Sequence, residues 1–155
     1  MWLKFVWIGE TKDLNLLPLE ERYLKRLEHF FPCSRSFVPE IKRVRHPEKR
    51  AFRREALLLE DKISPTSYLI ALDETGREYS SPDFARLLEE LLNQGKAGIT
   101  FVTGGSSGLP EQIKNGANLK WSLSSLTLPH ELAQVILLEQ VYRAVTIVNR
   151  VPYHK

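Results

Sequence analysis

Short apolar runs alternate with longer segments of helical periodicity along the whole chain. Runs rich in β-branched and aromatic residues predict five strands, at residues 2–8, 36–44, 67–72, 99–103 and about 119–126. Segments with apolar residues three and four positions apart predict helices, at residues 19–30, 47–62, 84–93 and about 131–149, the third with a helix start at Ser81-Pro82-Asp83. This alternation predicts an α/β fold in which a mostly parallel sheet is flanked by helices.

The last predicted helix, residues 131–149, is apolar on more than one face. A helix on the surface of a small domain normally carries a single apolar stripe. This helix therefore lies either in the centre of the core or between two subunits. We expect a homodimer formed through it, with Val141 and Val145 in the apolar contact.

Length and composition limit the class of protein. With 155 residues, of which 43% are hydrophobic, we expect a single domain over residues 1–155. No run approaches the ~18 apolar residues of a membrane span, and the amino terminus lacks the charged head and cleavage site of a signal peptide. We therefore expect a cytoplasmic protein with no membrane partner. Cys33 is the single cysteine and the four histidines are scattered, so the sequence offers no metal site.

The positive charge is concentrated in one segment. Residues 1–60 contain 13 Lys and Arg against 9 Asp and Glu, whereas residues 61–155 contain 9 against 10. The excess forms a basic run made of Lys42, Arg43, Arg45, Lys49, Arg50, Arg53 and Arg54. Such a run is either a solvated strand end and helix face or a site for RNA phosphates, because Lys and Arg release counterions from a polyanion. Composition leaves both interpretations open.

Two segments near the carboxyl terminus are predicted to bind a ligand. The strand at 99–103 runs directly into the glycines of segment 104–108, which can adopt positive φ and allow a ligand to approach the backbone. Residues 122–128 are rich in serine and leucine and end at Pro129, whose fixed φ suits the first turn of a helix. Both segments lie where a strand passes to a helix, which is the usual place for sites in α/β folds.

Known catalytic and nucleotide-binding templates fit these segments poorly. Segment 104–108 reads GGSSG and satisfies the G-x-S-x-G pattern of a serine hydrolase. No aspartate follows Ser106, however, and no later acid is evidently linked to His130 or His154, so the triad is incomplete. The glycines match neither the Rossmann fingerprint nor a P-loop. S-adenosyl-L-methionine needs main-chain donors and acceptors and an apolar slot but no metal, and it suits these loops.

Four motifs in a fixed order resemble those of the bacterial ribosomal RNA large subunit methyltransferase H family. They are VTGGSSGL at 102–109, SLSSLTLPH at 122–130, LEQVYRA at 138–144 and PYHK at 152–155. The resemblance extends over the whole chain, which also has the family's Lys/aromatic first strand and its Leu-Asp-x-x-Gly turn, at 72–76. The family comprises SPOUT-class enzymes that methylate N3 of a pseudouridine in helix 69 of 23S rRNA.

The resemblance implies a SPOUT-type fold with a C-terminal trefoil knot, a homodimer, and S-adenosyl-L-methionine as cofactor. It also implies a cofactor pocket built from the end of the third strand, the glycine loop and the backbone after the last strand. The residues of that pocket would be Leu72, Gly104, Leu123, Ser124, Ser125, Leu126, Thr127 and Leu128. We expect Gly104 in particular to need positive φ and close backbone approach.

Methylation of N3 requires loss of its proton. Candidates for removing that proton or polarising the adjacent carbonyls are Arg143, Tyr153 and His154, of which the histidine titrates near neutral pH. Pro152 ends the final helix and frees the tail to reach the partner's cofactor, as the resemblance suggests. A frayed terminus is the alternative interpretation of such a tail.

We therefore expect a methyltransferase that acts on 23S rRNA within the assembled ribosome. The alternative is a noncatalytic RNA- or ribosome-binding module, for which the basic run alone would suffice. Binding of S-adenosyl-L-methionine distinguishes the two.

Overall fold

A computed structural model describes residues 1–43 and 48–155. The predicted end of the second strand at Val44, Arg45 of the basic run and the predicted helix start at Pro47 lie outside these ranges. Within them the strands are β1 (Trp2–Ile8), β2 (Cys33–Val38), β3 (Tyr68–Glu78), β4 (Gly98–Thr103) and β5 (Leu119–Ser122). The helices are α1 (Leu17–Glu28), α2 (Glu48–Lys62), α3 (Ser81–Asn93), α4 (Glu111–Gly116) and α5 (His130–Val148).

The strands form one parallel sheet with the order β2-β1-β4-β3-β5. In its centre β1 pairs with β4, so that Phe5 lies opposite Phe101 and their rings stack with centroids 5.1 Å apart. Because all strands run in the same direction, their carboxyl ends lie along one edge of the sheet. Ligands of parallel α/β folds bind at that edge.

Helices cover both faces of the sheet. Side chains alternate along a strand, so Phe5 and Trp7 of β1 face one side, while Val6 and Ile8 face the other. The first side packs against α1, α3 and α5, and the second side packs against α2 and α4. Burial on both faces is typical of a parallel sheet. The predicted α/β fold with helices flanking a parallel sheet is therefore confirmed.

Three strands differ in extent from the predictions. The predicted strand at 36–44 begins earlier and ends before Pro39, which has no N–H with which to continue the ladder. The predicted strand at 119–126 ends where the serine- and leucine-rich segment begins. β3 instead continues beyond Leu72 through a register shift opposite β5. The differences at the carboxyl ends lie at the edge of the sheet that carries the candidate site, whereas the earlier start of β2 lies at the opposite edge.

One helix start is confirmed and one helix is not predicted. α3 begins at Ser81, as the predicted helix start at 81–83 indicates, and the Ser80 hydroxyl caps it by accepting a hydrogen bond from the Asp83 N–H at 3.2 Å. The sequence pattern does not predict α4, because its six residues include a single buried apolar side chain, Ile113. A segment of that length shows no helical period.

α5 lies between α1 and α3 in one helical layer. Val141 and Val145 are fully buried within the chain itself, so the prediction that they form an intersubunit contact is wrong. The sheet and the two flanking helices cover the faces of α5 that carry them. The exposed apolar residue of α5 is Leu132, near its amino end, with 37% of its surface exposed. No described helix, α5 included, is long and apolar enough to cross a membrane.

Candidate active site

A cleft opens at the carboxyl edge of the sheet, where three of the predicted segments meet. We call it the first cleft; it has an empty volume of about 590 Å³ that opens to solvent. It is lined by β3 at its register shift (Leu72), the end of β4 and its glycine loop (Thr103, Gly104), the first turn of α5 (His130, Ala133) and the segment after β5 (Leu123, Ser124, Leu126, Thr127, Leu128). Ser125 is exposed and does not line the cleft. The fold thus brings together seven of the eight residues expected in the cofactor pocket.

The segment after β5 is held in a turn by its serines. The Ser122 hydroxyl donates to the Ser124 carbonyl oxygen at 3.0 Å, and the Leu126 N–H donates to the Ser124 hydroxyl at 3.0 Å. Within the described ranges, the main-chain N–H groups of Ser125 and Thr127 have no protein acceptor. The turn therefore presents free main-chain donors beside the cleft.

The first cleft fits S-adenosyl-L-methionine in both its apolar and its polar parts. Leu72, Leu123 and Leu128 are half-buried and supply apolar surface for a flat ring. The Thr103 hydroxyl is buried in the cleft wall, and no described residue is its hydrogen-bond partner. A buried polar atom in this state requires a partner from outside the protein fold.

The glycine loop closes on itself. Gly108 has φ of +79°, but Gly104 does not have positive φ, so the prediction made for Gly104 is wrong in that respect. A Cβ on Gly104 would lie 2.3 Å from the carbonyl carbon of Gly108. Gly104 is therefore required because the loop backbone crosses it closely, and this crossing brings the loop against the cleft.

Glu40, which follows β2, holds the glycine loop from the other side. Its Oε1 accepts hydrogen bonds from the Ser106 N–H at 2.8 Å and from the Ser106 hydroxyl. Partial burial opposes ionisation, but these two bonds and the nearby His130 and Arg43 keep the pKa of Glu40 below its ordinary value. The Ser106 hydroxyl is thus bound to a carboxylate rather than to an imidazole, which is not the arrangement of a serine nucleophile.

The turn after Leu72 carries an ion pair at the mouth of the first cleft. Asp73 Oδ2 lies 3.5 Å from the Lys114 Nζ of α4. Partial burial opposes ionisation, but the Thr75 N–H, at 3.1 Å, and the Lys114 ammonium keep the pKa of Asp73 below its ordinary value. Asp73 therefore stays ionised, and its oxygens can accept hydrogen bonds from hydroxyl or ammonium groups of a ligand.

A second cleft adjoins the first. It is larger, with an empty volume of about 1640 Å³ that also opens to solvent, and it shares His130 with the first cleft. Its walls come from the loop after β1 (Gly9, Glu10, Lys12), the segment after β2 (Pro39, Glu40, Ile41, Lys42), the glycine loop (Ser106, Ser107) and α5 (Glu131). Two molecules bound in the two clefts would meet at His130.

The predicted catalytic residues lie away from both clefts. Arg143 follows the cleft residue Ala133 by ten positions, which corresponds to about 15 Å along the helix axis. The Arg143 guanidinium donates to Glu139 Oε1 at 3.0 Å and lies 4.8 Å from the centre of the Tyr153 ring. His154 Nδ1 lies 3.4 Å from an Arg143 nitrogen. The three residues are thus close together, but none lines either cleft.

The basic run is divided between a bound and an exposed part. Both terminal nitrogens of Arg43 donate to the Glu55 carboxylate, at 2.7 and 3.0 Å, so this side chain is already occupied. The exposed members are Lys42, Lys49, Arg50, Arg53 and Arg54. Arg45 lies outside the described residues. The exposed part is the segment that remains available to phosphates.

Several site residues were not predicted from the sequence, among them Glu40, Thr103 and Glu139. Glu139 precedes Arg143 by four positions, a spacing that places both on one helix face and could have indicated their contact. Glu40 gives no local signal, because Ser106 is 66 positions away in the sequence. Among residues 1–43 and 48–155, no three His, Cys, Asp or Glu side chains are grouped as metal ligands.

Comparison with known proteins places the chain in one family. Residues 1–154 match the family described as "Predicted SPOUT methyltransferase". A protein named "Ribosomal RNA large subunit methyltransferase H" from Desulfitobacterium hafniense (strain DSM 10664 / DCB-2) is 37% identical over 99% of this chain and 98% of its own length. A protein of the same name from Streptococcus equi subsp. equi (strain 4047) is 38% identical over the full length of both.

Two solved structures share the fold. A "probable methylase family protein" from Haemophilus influenzae Rd KW20 has a TM-score of 0.62 at 13% identity, over 99% of this chain and 70% of that one. A "Probable Methyltransferase" from Bordetella pertussis Tohama I has a TM-score of 0.56 at 14% identity, over 92% of this chain and 95% of that one. At these identities the likeness concerns the fold alone. The chain belongs to the SPOUT methyltransferase family, and S-adenosyl-L-methionine is its cofactor, as the sequence predicts.

Proposed function

We propose that this protein methylates N3 of a pseudouridine in helix 69 of 23S rRNA, acting on assembled ribosomes in the cytoplasm. The observation that carries the proposal is the junction of two clefts at His130, of which one fits the cofactor and the other is large enough for a nucleotide. The relatives described above are named as methyltransferases of large-subunit ribosomal RNA, which supports this class of substrate. The C-terminal trefoil knot implied by the family is part of the same proposal.

The second cleft has the chemistry of a nucleotide site. Phe37, Pro39 and Ile41 supply apolar surface for a base, and the exposed Lys12 and Lys42 supply cations for phosphates. Its walls are fixed by hydrogen bonds: the Glu131 carboxylate accepts from the main-chain N–H groups of residues 12 and 13 at 3.1 and 3.0 Å. The target base would enter here and reach the first cleft beside His130.

Positioning is the main contribution of the protein to the transfer. Bound S-adenosyl-L-methionine supplies an electrophilic methyl group on a sulfonium. Holding two reactants in a productive orientation accounts for roughly 7–11 kcal/mol of the barrier in well-aligned reactions. The clefts therefore need no nucleophilic side chain, which agrees with the engagement of Ser106 by Glu40.

Arg143, Tyr153 and His154 have different acid–base roles in this proposal. The hydrogen bond to Glu139 raises the pKa of Arg143, which stays cationic and can polarise a carbonyl of the base. Burial and hydrogen bonds with Tyr23 and Glu139 raise the pKa of Tyr153, so its phenol stays protonated and acts as a donor. His154 is then the member of the group whose neutral ring has a nitrogen that can accept the N3 proton.

A homodimer brings these residues to a cleft. Arg143, Tyr153 and His154 sit far along α5 from the clefts of their own subunit, so they can act only on the clefts of a partner. An exposed apolar surface beside the clefts supports such a partner: Leu14 is 79% and Leu132 is 37% exposed. These two residues are close in space, because Glu131 binds the backbone just before Leu14.

Mass spectrometry of helix 69 tests the proposal. Ribosomes from a strain without this gene should lack one methyl group on the pseudouridine, and the gene supplied on a plasmid should restore it. A methyl group present in the deletion strain would contradict the target. The alternative, a noncatalytic RNA- or ribosome-binding module, predicts that calorimetry detects no binding of S-adenosyl-L-methionine.

A further inference from the structure

The side-chain hydroxyl of Thr103 has no hydrogen-bond partner among the described residues, unlike the other buried threonine hydroxyls. Thr103 is the last residue of β4, is only 4% exposed and lines the first cleft. Its Oγ1 is buried without a hydrogen-bond partner among the described residues. Burial of such a group is unfavourable unless a partner is present in the functional state.

Other buried threonines show that this fold usually satisfies its hydroxyls. On the same strand, Thr100 donates to the Ser67 hydroxyl at 2.8 Å. On α5, Thr146 donates to the Arg143 carbonyl oxygen at 2.7 Å, and Thr11 donates to Gln134 at 2.9 Å. Thr103 differs from these three in facing a cleft.

The other unpartnered buried atoms of the described residues lie elsewhere. They belong to Trp7, Arg43 and Gln134, none of which lines the first cleft. Thr103 therefore supplies the one unsatisfied buried side-chain atom that the described chain places in the wall of this cleft. Four leucines of the wall give contact area but no directional bond, whereas the side chains of Asp73, Ser124 and His130 are other polar groups beside the same cleft.

We propose that the Thr103 hydroxyl forms a direct hydrogen bond with a polar atom of bound S-adenosyl-L-methionine. The bond satisfies a hydroxyl that has no partner among the described residues. Thr103 is thus a binding residue that fixes the cofactor against the end of β4. The inference concerns the cofactor alone and stands whether or not the RNA target is a pseudouridine of helix 69.

Calorimetry with S-adenosyl-L-methionine and with S-adenosylhomocysteine tests this bond without any measurement of activity. Thr103→Val keeps the shape and removes the hydroxyl, so both ligands should bind roughly fivefold to tenfold more weakly. The ligand-free variant should melt at or above the temperature of the unmodified protein, because an unsatisfied hydroxyl has been removed. Thr103→Ser keeps the hydroxyl and should bind both ligands with an affinity near that of the unmodified protein.

Thr100→Val is the matched control, because it removes a hydroxyl that is already bonded on the same strand. It should lower the melting temperature and leave the affinity for both ligands unchanged. Should Thr103→Val fold poorly, Thr103→Ala compared with Thr103→Ser isolates the hydroxyl in the same way. Equal affinities for both ligands with and without the hydroxyl, in either pair of variants, would overturn the proposal.

Discussion

The hydroxyl of Tyr153 donates a hydrogen bond to Glu139 of its own subunit, with 3.0 Å between the two oxygens. The Tyr153 ring also meets Tyr142 edge-on at 4.8 Å between centroids. The tail is therefore attached to the outside of α5 rather than frayed, and its position is set by Glu139 and Arg143. In this place it cannot touch the first cleft of the same subunit.

Removal of residues 153–155 should lower turnover by orders of magnitude and leave the fold intact. In the proposed function the tail acts in a partner's cleft, and it makes few core contacts in its own subunit, so the melting temperature should change by only a few degrees. His154→Ala should lose nearly as much activity as the truncation if the histidine accepts the N3 proton. Steady-state kinetics over pH 5.5–8.5 checks this, because the residual activity should then lose its pH dependence.

Mixed dimers decide whether the tail acts on the partner. A subunit without residues 153–155 still has intact clefts, and a Gly104→Ala subunit still has an intact tail. Each homodimer should be inactive, since a Cβ on Gly104 collides with the backbone of Gly108. Purified heterodimers should regain part of the activity. If verified heterodimers show no methyltransferase activity, the tail acts on its own subunit or on neither.

Leu132→Asp should give a folded monomer. Leu132 and Leu14 are exposed, so an aspartate there stays hydrated in the free subunit and is unfavourable only when a partner buries it. Sedimentation and circular dichroism together measure this outcome. Leu57→Asp is the matched control, because Leu57 is 60% exposed on the opposite face of the sheet and should leave the dimer unchanged. A monomeric unmodified protein at micromolar concentration would contradict the shared-site model.

Charge reversal of the exposed basic run should weaken ribosome association. Replacing Arg50, Arg53 and Arg54 by Glu should reduce the slope of log affinity against log salt concentration by the equivalent of about two to three phosphate contacts. Cofactor affinity should be unchanged. A control that reverses the exposed Lys25, Lys96 and Lys120 changes net charge equally and should have a smaller effect. An equal effect of the two triples would make the basic run a solvated face.

The contact of Glu40 with Ser106 predicts an acid-sensitive contribution to stability. The pKa of Glu40 in the folded protein is below its ordinary value of 4.5. The contribution is therefore complete above that pH and is lost as pH falls through the lowered pKa. Glu40→Gln should be less stable than the unmodified protein at pH 7, and the difference should shrink towards pH 3. Thermal melts at several pH values measure it, with exposed Glu10→Gln as the control.

How well the sequence predicts the structure depends on how far apart the interacting residues lie along the chain. Local periodicity suffices for β1, whose bounds are as predicted, and for the alternation of strands and helices. It does not give the strand order, since the central pairing of Phe5 with Phe101 joins segments about 95 positions apart in the sequence. Local periodicity also does not distinguish an apolar helix buried in its own subunit from one buried by a partner. The prediction that Val145 contacts a partner is therefore wrong, because Val145 is buried within its own chain.

In the candidate site, too, features set by the fold class are predicted and features set by individual long-range contacts are not. Six of the seven expected pocket residues that meet follow the carboxyl ends of β4 and β5, and the seventh, Leu72, lies on β3 between these two strands, so the fold class largely accounts for their meeting. Loop conformation is a different matter, because it depends on individual contacts. The positive φ belongs to Gly108 rather than to Gly104, and the loop is held by a glutamate distant in sequence.

The parallel direction of the five strands also determines which parts of the chain can carry an attachment. The amino end of β1 and the loop around Gly95, which has open space at its Cβ position, lie at the edge opposite the clefts. An affinity tag or a fluorophore placed there points away from the clefts. A tag fused after Lys155 would instead follow His154 directly and, if the proposed dimer forms, interfere with the tail. Purification handles for this enzyme therefore belong at the amino terminus.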